Sequence, residues 1–197
     1  FLVGELVGHG PAATALDFGA GPTLHHALPL AAQVASIDVA DLLDDNLDQI
    51  RRWQRAAPGA HDWSAFTRTV LGFEGGAVDS AAVASREALL RRRLRRLHRA
   101  DADWPDPLGA AARAGYDIVL SCYCADSATA DPRTCRRYLT NIASLLAPGG
   151  LLLLACLRRC AAYRVGGRRF PAAGIDERQL VDWLAEPALG LGLRRLE

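Results

Sequence analysis

At 197 residues, half of them apolar and 23% charged, the chain is long enough to bury a core of its own, and its composition excludes disorder and fibrous repeats. A formal net charge of +1 argues against a polyanion or a membrane surface as the principal partner. All 23 basic residues are arginine, which points to a GC-rich bacterial, specifically actinobacterial, genome and not to a functional device.

In chain order, "ATALDF" at 13–18 is a short apolar run followed at once by glycines, the pattern of a buried strand ending at a ligand-binding turn. A helix is expected through "LHHALPLAAQ", shortened or bent by Pro29. "VASIDVAD" at 34–41 alternates and ends on an acid, so it is the second strand. "DDNLDQIRRWQRA" opens with capping residues and spaces Leu47, Ile50 and Trp53 as one helix face. A further helix is expected from near Ser80 through "SREALLRRRLRRLHRA". "YDIVLSCYCA" at 116–125 is the clearest strand, "DPRTCRRYLTNIASLLAPGG" a helix stopped by Pro148 and two glycines, and "LLLLAC" the next buried strand. "DERQLVDWLAE" is a last helix, and at "LRRLE" another strand would only be starting. Alternating strands and helices predict a single domain over residues 1–197, an α/β doubly wound, mostly parallel sheet with helices on both faces.

Some features are expected to be structural. Leu89, Leu90, Leu94 and Leu97 form one stripe at helical spacing, so the arginines of 86–99 most simply cover the solvated remainder of an amphipathic helix and not a nucleic acid. His25 and His26 have no acidic or cysteine partner at metal-motif spacing, and no metal is expected. The five cysteines, at 122, 124, 135, 156 and 160, lack paired C-x-x-C spacing and are expected as reduced thiols. No apolar run approaches the ~18 residues of a membrane span and no cationic signal opens the chain, so the expected location is cytoplasmic. Methionine is absent even from position 1, so the natural start is expected upstream of Phe1.

The chemistry centres on "ALDFGAGPTLHH" at 15–26. Glycines after the first strand let a nucleotide-like ligand approach the backbone, but Leu24 stands where the dinucleotide fingerprint requires its third glycine, which weakens the case for a pyrophosphate. Asp41, twenty residues beyond Gly21 at the end of the second strand, can accept hydrogen bonds from both hydroxyls of a ribose. An adenosine without phosphates fits both facts. Asp101, in "RADAD" near the expected end of strand three, could accept the adenine amino group; either acid could equally be an exposed loop residue.

"LDFGAGPT", "DLLDDNLDQIRRWQRAAPGAHDWS", "SLLAPGGLLLLACL" and "YRVGGRRF" resemble the S-adenosylmethionine-dependent small-molecule methyltransferases that include the nicotinamide, phenylethanolamine, indolethylamine and thioether enzymes. The resemblance covers essentially the whole chain and implies a Rossmann-like class I methyltransferase with S-adenosylmethionine as cofactor and S-adenosylhomocysteine as product. It also implies an N-terminal lid and a C-terminal edge hairpin, neither visible in this chain. By the same resemblance, Asp17, Gly19, Ala20, Gly21, Thr23 and His25 belong to the methionyl side of the cofactor site. Asp41, Leu42 and Asn46 belong to its ribose side, Asp101 and Ala102 to the adenine edge, and Cys122 lies beneath the sulfonium. Leu42 and His25 stand where relatives often carry aromatic residues.

For the substrate, the resemblance implies Tyr123, Asp126, Cys156, Cys160, Tyr163 and Glu177 as pocket residues, with Asp126 as the candidate catalytic acid that orients an amine and takes its proton. Asp126 could also be a plain helix N-terminal acid, and Tyr163 an ordinary half-buried tyrosine. Cys156 and Cys160 replace an aspartate and a serine of the nicotinamide enzyme, which disfavours a carboxamide and suits an aromatic ring. The expected reaction is methyl transfer to nitrogen of a small aromatic or indolic amine, in bacterial specialised (natural product) metabolism, by a monomer or weak homodimer. The alternatives are C-methylation of an indole ring at C3, an RNA methyltransferase, and a cofactor-binding protein without catalysis.

Overall fold

Strand β1, Ala12–Phe18, is buried from Thr14 onward, and this places it at the centre of the sheet. The computed structural model describes residues 2–109, 115–192 and 196. Strand β1 pairs in parallel with β2 (Val34–Asp41) on one side and β4 (Tyr116–Cys122) on the other. Beyond them lie β3 (Leu94–Arg99) and β5 (Leu146–Ala155), giving the order β3-β2-β1-β4-β5. All four pairings are parallel, as the alternation of strands and helices predicts.

The helices in chain order are α1 (Leu2–His9), α2 (Ala27–Gln33), α3 (Asp44–Gln54), α4 (Ser64–Phe73), α5 (Ser80–Arg93), α6 (Pro132–Ala143) and α7 (Glu177–Leu184). One core joins Leu24, Leu28 and Leu30 of the α2 region, Trp53 of α3 and Leu90 of α5 to Ala15, Ile37 and Ile118 of the sheet. The other joins Cys135, Leu139 and Ile142 of α6 to Leu16, Phe18 and Val119, with Ile175 before α7. Successive strand residues point to opposite faces, so Ala15 and Leu16 belong to different cores. Pro29 is the third residue of α2, within the first turn, where its missing N–H breaks no bond.

Three elements differ from expectation. The helix expected to reach Ala100 stops at Arg93, and Leu94–Arg99 is β3, with Leu94 and Leu97 opposite Ile37 and Val39. Arginine and leucine favour helix locally, but pairing along β2 overrides that propensity. Nor are the arginines all solvated. Arg86 grips Glu74 at 2.5 and 2.8 Å and the Leu28 carbonyl at 3.2 Å, Arg91 lies 4.0 Å over the Trp53 ring, and Arg93 donates to the Val34 carbonyl.

The helix expected to run to Pro148 ends at Ala143. Pro148, Gly149 and Gly150 fall inside β5, where the pairing with β4 shifts register. A Cβ on Gly150 would lie 2.8 Å from the Asp117 carbonyl oxygen, so this bulge needs a glycine. Finally, "YRVGGRRF" is an antiparallel hairpin, β6 (Ala162–Val165) and β7 (Arg168–Pro171), turning on Gly166 and Gly167, both at positive φ. The strand expected to start at "LRRLE" lies outside the described residues, Leu196 excepted.

A buried polar network ties three strands together. Asp38 of β2 accepts from the Tyr116 hydroxyl at 2.8 Å and the Arg96 amide at 3.2 Å, and lies 3.2 Å from His98 Nε2. Burial pushes its carboxyl up, but the His98 and Tyr116 hydrogen bonds more than offset this and hold it below the ordinary range.

Candidate active site

The strand order reverses between β1 and β4, the switch point at whose carboxyl ends open α/β sheets take their ligands. The amides of Gly19 and Ala20 both donate to the Ala40 carbonyl, at 2.8 and 3.2 Å, which folds the glycine loop back over β2. The Thr23 hydroxyl closes the loop on the Ala20 carbonyl at 2.7 Å. The two glycines serve different ends. A Cβ on Gly19, at φ +73°, would lie 2.3 Å from Cys124 Sγ, so this glycine is required by the protein's own β4 turn. Gly21, at φ +62°, has no atom within 4 Å of where its Cβ would stand, and it is the position open to a ligand.

Asp41 organises the neighbouring wall. Its Oδ2 accepts from the Gly21 amide at 2.8 Å, and its Oδ1 accepts from the Leu43 amide at 2.9 Å and the Asn46 side-chain amide at 2.8 Å. Those bonds leave about one of its lone-pair directions, together with Asn46 Oδ1. Leu42 and Leu43 stand beside it, each more than half exposed. The Ala100 amide donates to the Asp41 carbonyl at 2.9 Å, which brings Asp101 and Ala102 alongside. Asp101 accepts from the Asp103 amide, and the Ala102 carbonyl accepts from Asn141.

Asp17 is 1% exposed, and neither carboxylate oxygen has a hydrogen-bond partner. Burial, reinforced by the charge of Asp41, pushes its pKa up to about 7. His26 Nδ1 lies 4.0 Å from Asp17 Oδ1, and burial together with His25 pushes the His26 imidazole down to about 4. His25 itself leans on Trp63 and Phe66, with ring centroids at 6.3 and 5.9 Å.

On the other side, Cys122 ends β4 and Tyr123 follows at φ +53°, a left-handed conformation costing a non-glycine residue roughly 1–3 kcal/mol. The Tyr123 amide is held by the Ala155 carbonyl at 2.7 Å while more than half of the residue is exposed, so the strain sits at the rim. Asp126 is 1% exposed; its Oδ2 accepts from the Leu157 amide at 2.8 Å and its Oδ1 has no partner. Burial raises its carboxyl despite the donors around it. The Tyr163 hydroxyl donates to the Ser127 carbonyl at 3.2 Å and its ring stacks on Phe170, so the β6–β7 hairpin rests beside the Asp126 turn. Cys156 carries Asp126 among its electrostatic neighbours, and Cys160 Sγ bonds the Ala162 carbonyl. Burial pushes the thiols of Cys122 and Cys124 up to about 12 and raises Cys156 as well, so they are neutral walls and not nucleophiles.

Glu177 is engaged elsewhere. It forms a two-pronged pair with Arg158 at 2.8 and 2.9 Å on the surface, which pulls its carboxyl down to about 2. Cys124 and His26 were not anticipated as site residues. Cys124 packs with the core opposite to that of Cys122, because β4 ends at Cys122 and left-handed Tyr123 breaks the strand alternation, and nothing local ties His26 to Asp17 nine residues earlier. Among the described residues no acid, histidine and cysteine cluster could hold a metal. A groove of about 710 Å³ lies elsewhere, along the outer edge of β5 against α7. Its walls are mostly apolar, with Glu5 and His9 the ionisable residues, so the convergent acids at the carboxyl ends mark the candidate site instead.

The sequence matches the model of the NNMT/PNMT/TEMT family over residues 5–194. It is 32% identical to phenylethanolamine N-methyltransferase of Bos taurus over 98% of this chain and 66% of that protein. It is 35% identical to nicotinamide N-methyltransferase of Sus scrofa over 79% of this chain and 58% of that protein, and 33% identical to indolethylamine N-methyltransferase of Mus musculus over 82% and 60%. The chain thus spans less than two thirds of the length of these curated relatives. In fold it is similar to the N-methyltransferase NodS of Bradyrhizobium japonicum, with a TM-score of 0.56 and 16% identity over 94% of this chain and 77% of that one. A similar likeness, with a TM-score of 0.55 and 11% identity over 93% and 76%, joins it to an S-adenosylmethionine-dependent methyltransferase of Clostridium acetobutylicum. With the parallel sheet, the glycine loop and a match over nearly its whole length, the chain belongs to the NNMT/PNMT/TEMT family.

Proposed function

We propose that the protein binds S-adenosylmethionine across the carboxyl ends of β1, β2 and β4 and transfers its methyl group to nitrogen of a small aromatic or indolic amine. The observation that carries this reading is the convergence of open Gly21, partly satisfied Asp41 and unsatisfied Asp17 at the carboxyl ends of β1 and β2, in a chain of this family. The residues fit the cofactor. Asp41 and Asn46 Oδ1 have acceptor capacity for one ribose hydroxyl each, Asp101 and Ala102 border the same wall, and Asp17 is a buried acid without a donor beside a loop that suits the methionyl end.

When bound, the cofactor supplies an electrophilic methyl on a sulfonium, and transfer is an in-line displacement governed by placement and exclusion of water. Asp126 is assigned the amine. The Leu157 amide fixes Oδ2, so Oδ1 is left to orient the nucleophile and take its proton, and a raised carboxyl makes a better base near neutrality. The neutral thiols of Cys122 and Cys156 with Tyr163 supply apolar walls for an aromatic ring, and strained Tyr123 stands at the rim.

We place the enzyme in the cytoplasm of a bacterium, in specialised metabolism, as a monomer or weak homodimer; its free cysteines support the compartment and its lysine-free composition the bacterial source. Separately, no helix among the described residues is long and apolar enough to cross a membrane. The test is calorimetric titration with S-adenosylmethionine and S-adenosylhomocysteine, followed by a mass-spectrometric screen of arylamines and indoles. A methylated amine is the expected product. Methylation at ring carbon redirects the substrate assignment, and binding of neither cofactor form overturns the proposal.

A further inference from the structure

We propose that Asp17 and His26 hold one proton between them in the ligand-free site, and that the ammonium end of the cofactor displaces it, so that each binding event expels about one proton to solvent. This rests on the cofactor assignment above and adds to it a positioning role for His26. The geometry is that of an acid awaiting a cation. Asp17 ends the apolar run of β1 with both oxygens buried and without donors, and among the described residues no guanidinium lies within ion-pair distance of it.

The groups that face it are few. From the turn before α2 comes His26, its Nδ1 at 4.0 Å, about an ångström beyond hydrogen-bond reach, with His25 packed behind it at a ring separation of 3.9 Å. From the end of β2 comes Asp41, a like charge, and from the end of β4 come Cys122 and, just beyond it, Cys124, both neutral thiols. A carboxylate so placed keeps its proton well above the usual carboxylate range, to about 7, while His26 resists protonation down to about 4. Between those limits the pair therefore holds a single proton, on the carboxyl, with the neutral imidazole beside it. A cation brought against Asp17 reverses the balance, since it stabilises the carboxylate that burial disfavours. The His26 ring, backed by His25, which itself leans on Trp63 and Phe66, fixes the side from which the carboxylate is approached.

Calorimetric titration of the protein with S-adenosylhomocysteine, from pH 5.5 to 8.5 in buffers of low and high ionisation heat, counts the protons directly. The expected result is release of close to one proton at pH 6, falling to about half near pH 7 and to little at pH 8, with affinity falling by up to tenfold per pH unit below about 7. Asp17→Asn keeps the shape and removes the titration, so its binding should be weaker and free of proton release across this window. His26→Gln leaves the carboxylate in place and should shift the midpoint of release while release itself persists. Wild-type binding with no buffer-dependent heat and constant affinity overturns the proposal and leaves the cofactor assignment standing. Full proton release by Asp17→Asn overturns it equally, and an unchanged midpoint in His26→Gln overturns the part played by His26. Absence of binding at every pH overturns the cofactor assignment and this inference with it.

Discussion

Asp38 and Asp17 stand on adjacent strands of one sheet, both almost fully buried, and their carboxyls are displaced in opposite directions. Asp38 lies within the sheet, held by Tyr116, His98 and the Arg96 amide, and is pulled below its ordinary range. Asp17 lies at the carboxyl edge, holds no donor, and is pushed up. Burial is common to both, so burial alone does not mark a functional acid. A buried acid whose partners belong to the protein is architecture, and one whose partners are missing points to a ligand.

Exchanging stability against binding at the two positions is the sharpest way to break this contrast. Asp38→Ala removes the buried acceptor that the Tyr116 hydroxyl and the Arg96 amide share and that faces His98, and thermal or urea unfolding should show a loss of about 3–5 kcal/mol. A loss under 1 kcal/mol would remove Asp38 from the framework.

Asp17→Asn should do the reverse. The folded state holds its proton up to about pH 7 while the unfolded chain releases it near 3.8, so this group destabilises the fold as pH rises between those values. The substitution should therefore raise stability at pH 8, on the order of 2–4 kcal/mol, and leave it unchanged at pH 3. Asp38, with a lowered carboxyl, stabilises above its unfolded value and loses that contribution as pH falls through its folded one. Parallel stability–pH curves for Asp17→Asn and wild type would refute the distinction.

Asp41 is intermediate, since it is partly satisfied by Gly21, Leu43 and Asn46 and partly open. Asp41→Ala should weaken S-adenosylhomocysteine binding tenfold or more, about 1.5–3 kcal/mol for a charge-assisted hydrogen bond. Unchanged affinity would end its assignment to the ribose. The smallest effect belongs to Glu177, whose carboxylate is occupied by Arg158 on the surface. Glu177→Gln should leave melting temperature and cofactor affinity as they are, and a raised KM for the amine would instead assign it to the pocket.

Much of this arrangement is legible locally. Apolar runs ending in Gly19 and Gly21 or in Asp41 announce strands that stop at the candidate site, because strand periodicity and glycine conformation are properties of short segments. Leu47, Ile50 and Trp53 mark the buried face of α3 for the same reason. The hairpin at Gly166–Gly167 carried a readable turn signal that the alternation of strands and helices obscured.

What the amino-acid order determined alone is therefore the α/β alternation, the glycine loop and the set of acids at strand ends. Only the tertiary structure decided that Leu94–Arg99 is a strand, since its partner Ile37–Asp41 lies more than fifty residues away and no local propensity reports it. Only it distinguished Gly19, which the Cys124 side chain requires, from Gly21, whose Cβ position is open. Only it separated Asp17 from Asp38, because a carboxyl's charge depends on which donors the folded chain brings within 3 Å, and those come from residues remote in sequence.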